Sequence, residues 1–160
     1  MQRATTHLHA PLSTAPADHI ALDYDDRFLR RKALRSDYGL DFVVDLPKTV
    51  ALVHGDALQL EDGRLVQIIA APEPVLLIRG DLPRLAWHIG NRHTPCQIEA
   101  DHLVIRADHV LRAMLEGLGA DVTEARAPFT PEGGAYGAAQ VMGHSHGPHD
   151  HEHGHHHHHD

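Results

Sequence analysis

The last seventeen residues most strongly limit what this chain can fold into. They read HSHGPHDHEHGHHHHHD and contain no apolar side chain. Because such a segment cannot bury a hydrophobic core, we expect residues 143–160 to be a disordered tail. Imidazole readily ligates Ni, Zn and Cu, so the composition of the tail predicts metal binding. Its ten histidines are His144, His146, His149, His151, His153, His155, His156, His157, His158 and His159.

A purification tag is the alternative interpretation of this tract. An engineered tag is usually one unbroken run, whereas here histidines alternate with Gly, Pro, Asp and Glu for eleven residues before the final five. We therefore interpret the tract as a native tail. A Gly-rich chain of roughly 18 residues has a root-mean-square reach on the order of 23 Å, which is long enough to return a histidine to the folded body.

Charge and cysteine content narrow the class of protein. The formal net charge is −8 and no segment is a cationic domain, which argues against a nucleic acid or an anionic membrane as partner. The five basic residues between Arg27 and Arg35 are balanced by nearby aspartates and are interpreted as a solvated face. A single cysteine, Cys96, excludes an internal disulfide, and no apolar run approaches the ~20 residues of a membrane span. We expect a cytoplasmic protein.

The N-terminal half predicts β structure. Residues 1–19 are expected to form a flexible arm, and residues 20–73 a small all-β domain that binds a partner or peptide. Asp62-Gly63 lies between two apolar runs and favours a two-residue hairpin turn, because glycine accepts a positive φ without strain. Pro72-Glu73-Pro74 predicts a stiff link and the domain boundary.

In the C-terminal half, residues 74–142, the spacing of apolar residues changes to include helical periods, and this half predicts a ferredoxin-like domain. An apolar strand at 75–78 precedes a helix with Asp81 as N-cap and Gly90 at its end. Strands at 96–99 and 103–106 follow, then a helix capped by Asp108 and closed by Gly119, and a weak strand at 121–125. The order β-α-β-β-α-β makes the whole chain an α+β protein.

His93 is the candidate site residue in this half. It follows the predicted helix end at Gly90 and precedes an X-Pro step at Pro95, so its side chain is expected to project from the body of the fold. From the residues alone, a single histidine in such a loop is more often a surface or hydrogen-bonded residue than a metal ligand.

Several strings in the chain resemble the UreE family of urease accessory proteins, the nickel metallochaperones. They are WHIGNRHTPCQI at 87–98, DHVLRAML at 108–115, and LPKTV at 46–50 followed by HGD at 54–56. The GNRHxP string is fairly specific. The resemblance covers about residues 20–140, and the tail matches the His-rich ending of many members.

The resemblance implies a non-enzymatic homodimer that carries Ni(II). The C-terminal domains would form the interface, where His93 of each subunit shares one nickel ion and tail histidines or waters complete the shell. Zn(II) and Cu(II) are the alternative ions. The implied partners are the accessory GTPase UreG and the complex of the urease apoprotein with its accessory proteins.

A second site is less complete in this sequence. Some members carry metal-binding histidines on both sides of an Asp at the start of the second helix, and here Ala107 takes the first of those positions. We therefore expect Asp108 to be an N-cap and keep His109 as a lesser candidate ligand. His54, His88 and His102 are expected to be surface or turn residues.

Two other functions remain open from the sequence. A metal-dependent hydrolase could use His93, Asp108 and His109 as three ligands, although the chain has no HExxH pair and no Gly-rich phosphate loop. A nickel storage or detoxification protein would use the tail as its whole function.

Overall fold

A computed structural model describes residues 1–133, and the His-rich tail lies outside the described residues. The N-terminal part contains β1 (Gln2–Leu8), β2 (Asp18–Leu22), β3 (Phe28–Arg35), β4 (Asp41–Ala51), β5 (Ala57–Leu60) and β6 (Leu65–Ala70). The C-terminal part contains β7 (Pro72–Arg79), α1 (Leu82–Asn91), β8 (Gln97–Ile98), β9 (Leu103–Arg106), α2 (His109–Gly117) and β10 (Asp121–Pro128). The predicted α+β class is confirmed.

The N-terminal strands form one six-stranded sheet in the order β2-β6-β5-β1-β4-β3. Strand β1 pairs in parallel with β4 and antiparallel with β5, and Ala4 on it is fully buried. The predicted flexible arm at 1–19 is therefore wrong, because this segment supplies an interior strand and the start of β2. Its backbone hydrogen bonds, rather than a run of apolar side chains, hold β1 in place.

The predicted hairpin around Asp62-Gly63 joins β5 and β6 with a longer loop than expected. Leu60 N–H donates to Arg64 O at 2.8 Å, which leaves three residues in the loop instead of two. Gly63 has a φ of 90° and closes a turn by donating to Leu60 O at 2.9 Å. A type I turn followed by a left-handed glycine is the usual geometry of a three-residue hairpin loop.

Strand β4 continues through Pro47. Its pairing with β3 shifts register between Leu29↔Val50 and Arg31↔Asp45, so more residues of β4 than of β3 lie between these pairs. Pro47 falls in that unpaired stretch. Because proline cannot donate to a ladder, a bulge is the place where a strand accepts it.

The C-terminal domain has the predicted ferredoxin-like arrangement. Its four strands lie in the order β10-β7-β9-β8, with β7 between β10 and β9 and all pairs antiparallel. Alternate residues of β7 face opposite sides of the sheet. Leu76 and Ile78 pack with Leu85 of α1 and Leu115 of α2 in one core, whereas Val75 belongs to a different cluster.

The second face of this sheet packs against the N-terminal domain. Tyr24 and Phe129 form the cluster with Val75, and the guanidinium of Arg106 lies 4.8 Å from the centre of the Tyr24 ring. Arg27, assigned to a solvated face from the sequence, is 3% exposed and donates to Phe129 O. The two domains therefore share a packed junction.

The proline segment at this junction is part of a strand. Pro72 and Pro74 lie in β7, opposite Pro128 and Arg126 of β10. The prediction of a stiff link is wrong here, because the extended backbone that proline favours also fits the end of a strand.

Candidate metal site at the end of the first helix

Helix α1 ends in a motif that fixes the position of His93. After the C-cap residue Arg92, His93 N–H donates to Gly90 O at 3.0 Å and Thr94 N–H donates to Ile89 O at 3.3 Å. These two bonds are the pair that defines a Schellman motif. His93 occupies its left-handed position with a φ of 57°. The helix thus ends at Asn91 and His93 is the terminator, which corrects the prediction that Gly90 ends it.

Helix α2 ends in the same way with the expected residue. Gly119 N–H donates to Glu116 O and Ala120 N–H donates to Leu115 O, each at 3.0 Å. Gly119 has a φ of 88°, as the sequence predicted for a helix-closing glycine. The comparison shows that His93 stands where the motif normally carries glycine.

A left-handed residue with a Cβ costs free energy. The cost is roughly 1–2 kcal/mol for an L-residue, and such backbone strain is concentrated at functional positions. His93 is the one residue other than glycine with a positive φ among residues 1–133. The backbone strain therefore supports His93 as a candidate functional residue, and this argument does not depend on the sequence motif.

His93 lines two surface grooves. One groove has a volume of about 450 Å³ and is also lined by Glu73, Arg106 and Asp108. The other has a volume of about 260 Å³ and is also lined by Cys96, Ile98 and Glu132. His93 belongs to the exposed residues of this domain.

Asp108 is an N-cap, as the sequence predicted. Its Oδ1 accepts from Val110 N–H at 2.9 Å and from Leu111 N–H at 3.0 Å. His109 is the exposed first residue of α2. Because the carboxylate oxygen satisfies the free N–H groups of the helix, capping accounts for Asp108 without a metal.

The structure does not assemble the three ligands that a hydrolase would need. Within residues 1–133, the side chains of His93, Asp108 and His109 do not form a group with ligand atoms close enough to hold one ion. The group that does meet this criterion in the described part of the chain is His7, His9 and Asp56. Sequence reasoning missed it by assigning residues 1–19 to an arm.

The cysteine near His93 is a poor ligand. Cys96 is half-buried, and this burial raises the pKa of its thiol to about 11. A cysteine binds metal as the thiolate, so the thiol is held in the wrong state at neutral pH. Nitrogen and oxygen ligands are therefore the donors that this region offers.

The remaining histidines have structural contacts. His54 Nδ1 accepts from Ala70 N–H at 3.1 Å, and His102 Nδ1 lies 2.7 Å from Asp101 Oδ1. The ring of His88 packs edge-on against Trp87 with centroids 5.0 Å apart. None of the three belongs to a group of metal-ligating side chains in residues 1–133.

The predicted tail ligands, from His144 to His159, lie outside the described residues. Among the helices of residues 1–133, none has the length and apolar character needed to cross a membrane.

Comparison with known proteins gives matches over both domains. The family model of the UreE urease accessory protein N-terminal domain matches residues 1–71, and that of its C-terminal domain matches residues 73–159. The second match includes the His-rich tract, which supports its interpretation as a native tail.

Individual relatives give the same result. The chain is 58% identical to the urease accessory protein UreE of Rhodobacter capsulatus over 148 residues, which cover 92% of this chain and 95% of that protein. It is 58% identical to the UreE of Ruegeria pomeroyi over 130 residues, 81% of this chain and 87% of that protein. The UreE of Paracoccus denitrificans is 61% identical over 118 residues, 74% of this chain and 76% of that protein. The chain belongs to the UreE family of urease accessory proteins.

Proposed function

We propose that this protein is a nickel metallochaperone for urease. It binds Ni(II) at His93 and in its tail, and delivers the ion to the urease apoprotein and its accessory complex, with the GTPase UreG as partner. The observation that carries the proposal is that His93 is exposed, lines two grooves and occupies a left-handed position that disfavours any residue except glycine. Family membership supports the accessory role and a carrier rather than an enzyme.

The site is proposed to be complete only in a homodimer. One imidazole does not hold a nickel ion firmly, and a two-fold interface near His93 would supply a second one from the partner. Exposed apolar side chains in the same domain favour such an interface: Trp87 is 64%, Val110 55% and Ile98 52% exposed. Ile98 also lines a groove with His93.

An interface site of this kind suits a carrier. Two imidazoles leave a four- to six-coordinate ion with open positions, which waters or tail histidines can fill. Such a shell holds the ion and still allows a partner to take it by ligand exchange. Zn(II) and Cu(II) compete for the same donors, since neutral imidazole binds all three ions.

Urease activation in cells tests the proposal against a storage function. At limiting nickel, His93→Ala should impair activation although the tail is intact, whereas a chain ending at Gly143 should retain a substantial part of it. His88→Ala is the matched control, because it removes a nearby histidine of α1 to which we assign no ligand role. If tail removal abolishes activation and His93→Ala has no effect, storage in the tail is the function.

A separate experiment tests whether tail histidines complete the coordination shell of the nickel ion at His93. Replacing His144 and His146, the tail histidines nearest to the fold, should weaken the tight nickel site. Removing His155 to His159 should instead lower the number of ions bound. Nickel titration of both variants distinguishes the two effects, and an equal loss of capacity with an unchanged tight constant would make the tail a reservoir only.

A further inference from the structure

We propose a second metal site, in the N-terminal domain, formed by His7, His9 and Asp56 and suited to a divalent transition-metal ion such as Zn(II). It lies in a different domain from His93. The two imidazoles and the carboxylate are a donor set that zinc accepts in three-ligand sites with an open fourth position.

The sheet brings these residues together from distant parts of the chain. His7 is on β1 and pairs with Leu58 of β5, and Asp56 directly precedes β5. His9 is two residues beyond His7, just after β1 ends. The pairing of β1 with β5 therefore places both histidines beside the Asp56 carboxylate.

The distances are close to those of a ligated ion. His7 Nε2 lies 2.8 Å and His9 Nδ1 3.7 Å from the same oxygen, Asp56 Oδ2. Two donors bound at ~2.0–2.1 Å are about 2.9 Å apart at a right angle and about 3.3 Å apart at a tetrahedral angle. Only His9 has to approach, and its side chain is 78% exposed.

Asp56 is held in place as a ligand would be. Its side chain is 5% exposed, Oδ2 accepts from Val53 N–H at 3.1 Å, and Oδ1 accepts from Ala10 N–H at 3.3 Å. Burial alone would raise the pKa of this carboxyl, but these hydrogen bonds and the one from His7 lower it. Asp56 is therefore anionic at neutral pH, and backbone donors behind a ligand fix its orientation.

Binding requires a simple exchange at the imidazole. In the metal-free protein, His7 Nε2–H donates to Asp56 Oδ2. When the ion binds, Nε2 gives its lone pair to the metal and the neutral ring carries its proton on Nδ1. The ion takes the place of the shared proton between His7 and Asp56, so both groups keep a partner.

The chain contains a matched pair that lacks a third ligand. His19 Nδ1 contacts Asp37 Oδ2 on the surface of the same domain, but no second imidazole joins them in a ligand group within residues 1–133. His19→Ala is thus a control that removes an imidazole–carboxylate contact without touching the proposed site.

The test is amide NMR of the full-length, ¹⁵N-labelled protein, with free Zn(II) set by a chelator so that the tail does not deplete it. In the wild type, amides of residues 7–10 and 53–56 should shift and saturate. His9→Ala should raise the zinc concentration for half-saturation at least about tenfold, since even groups behind a ligand contribute 10–100-fold. His19→Ala and His93→Ala should leave it unchanged.

A second variant guards against a change in local structure. His7→Gln keeps an N–H that can donate to Asp56 but removes the ring nitrogen, so the amide spectrum should stay native while the zinc response is lost. If wild-type amides at 7–10 and 53–56 do not respond to zinc, the three residues form a hydrogen-bonded cluster only. If they respond equally in His9→Ala, His9 is not a ligand and the three-ligand site is refuted. Either outcome leaves the role of His93 untouched.

Discussion

Replacing His93 by glycine is expected to give a more stable fold than replacing it by alanine, although both changes remove the imidazole. The left-handed position costs an L-residue roughly 1–2 kcal/mol, and glycine avoids that cost but loses about 0.5–1 kcal/mol more backbone entropy on folding. His93→Gly should therefore be more stable than His93→Ala by on the order of 0.5–1 kcal/mol. Both variants lack the imidazole and its contacts, so the difference isolates the backbone at a φ of 57°.

The assay is urea unfolding of both variants in a chelator, which removes any contribution from bound metal. For a chain of this size the expected difference in free energy corresponds to a rise of about 1–4 °C in Tm. Nickel binding at the tight site should be absent from both variants. If the proposed function holds, the backbone conformation favours glycine at this position and nickel binding requires histidine.

The end of helix α2 allows the free-energy cost of a left-handed residue with a Cβ to be measured separately. Gly119 holds the equivalent position, and a Cβ added there would meet no atom within 4 Å. Gly119→Ala therefore tests the backbone cost alone and should destabilise by about 1 kcal/mol. If Gly119→Ala is destabilising but His93→Gly is no more stable than His93→Ala, the strain that we assign to His93 is refuted.

Three further predictions concern the rest of the structure. Asp108→Ala should lower the free energy of unfolding by about 1 kcal/mol through loss of the N-cap, whereas Asp108→Asn should change it little. Both variants should keep the tight nickel site. Unfolding and nickel titration check this, and loss of nickel binding in Asp108→Asn would contradict it. Deleting residues 1–8 should unfold the N-terminal domain, seen as lost strand signal in circular dichroism, because β4 and β5 lose a shared partner; a stable truncated chain would restore the flexible-arm interpretation. Hydrogen bonds outweigh burial and lower the pKa of Asp56, so its contribution to stability is complete above the unfolded value near ~3.9 and is lost as pH falls through the folded one. Acid titration of unfolding should show a smaller loss in Asp56→Asn than in the wild type, and an equal loss would exclude this group.

The C-terminal domain could be predicted from sequence because its signals are local. Apolar periodicity, the N-cap Asp108 and the closing Gly119 each act within a few residues, and together they give the observed element order. Strand β9 has the bounds that the apolar run predicts. Local chemistry and tertiary packing agree there, so neither overrides the other.

The N-terminal strand could not be predicted in the same way. Residues 2–7 carry mostly polar side chains. Only pairing with β4, about 40 residues away, and with β5, about 51 to 56 residues away, makes them a strand. The cluster of His7 and Asp56 depends on that same pairing. A short stretch of sequence does not predict hydrogen bonds to strands that are distant along the chain.

The backbone conformation of His93 was not predicted for a different reason. The sequence predicted a helix end at Gly90, because glycine is the usual left-handed residue. The chain instead continues to Asn91 and places histidine in that conformation. A rule based on residue preference fails here, because the left-handed position is occupied by a residue that this conformation disfavours.

Calorimetric nickel titration of a chain ending at Gly143 tests the central claim most directly, because it removes the tail histidines and leaves the described fold. In the tight phase of the titration, the wild-type sequence should bind one nickel ion per two chains, His88→Ala should do the same, and His93→Ala should lack this phase. If His93→Ala still binds one ion per two chains with unchanged affinity, His93 is not the ligand and the proposed dimer site is wrong.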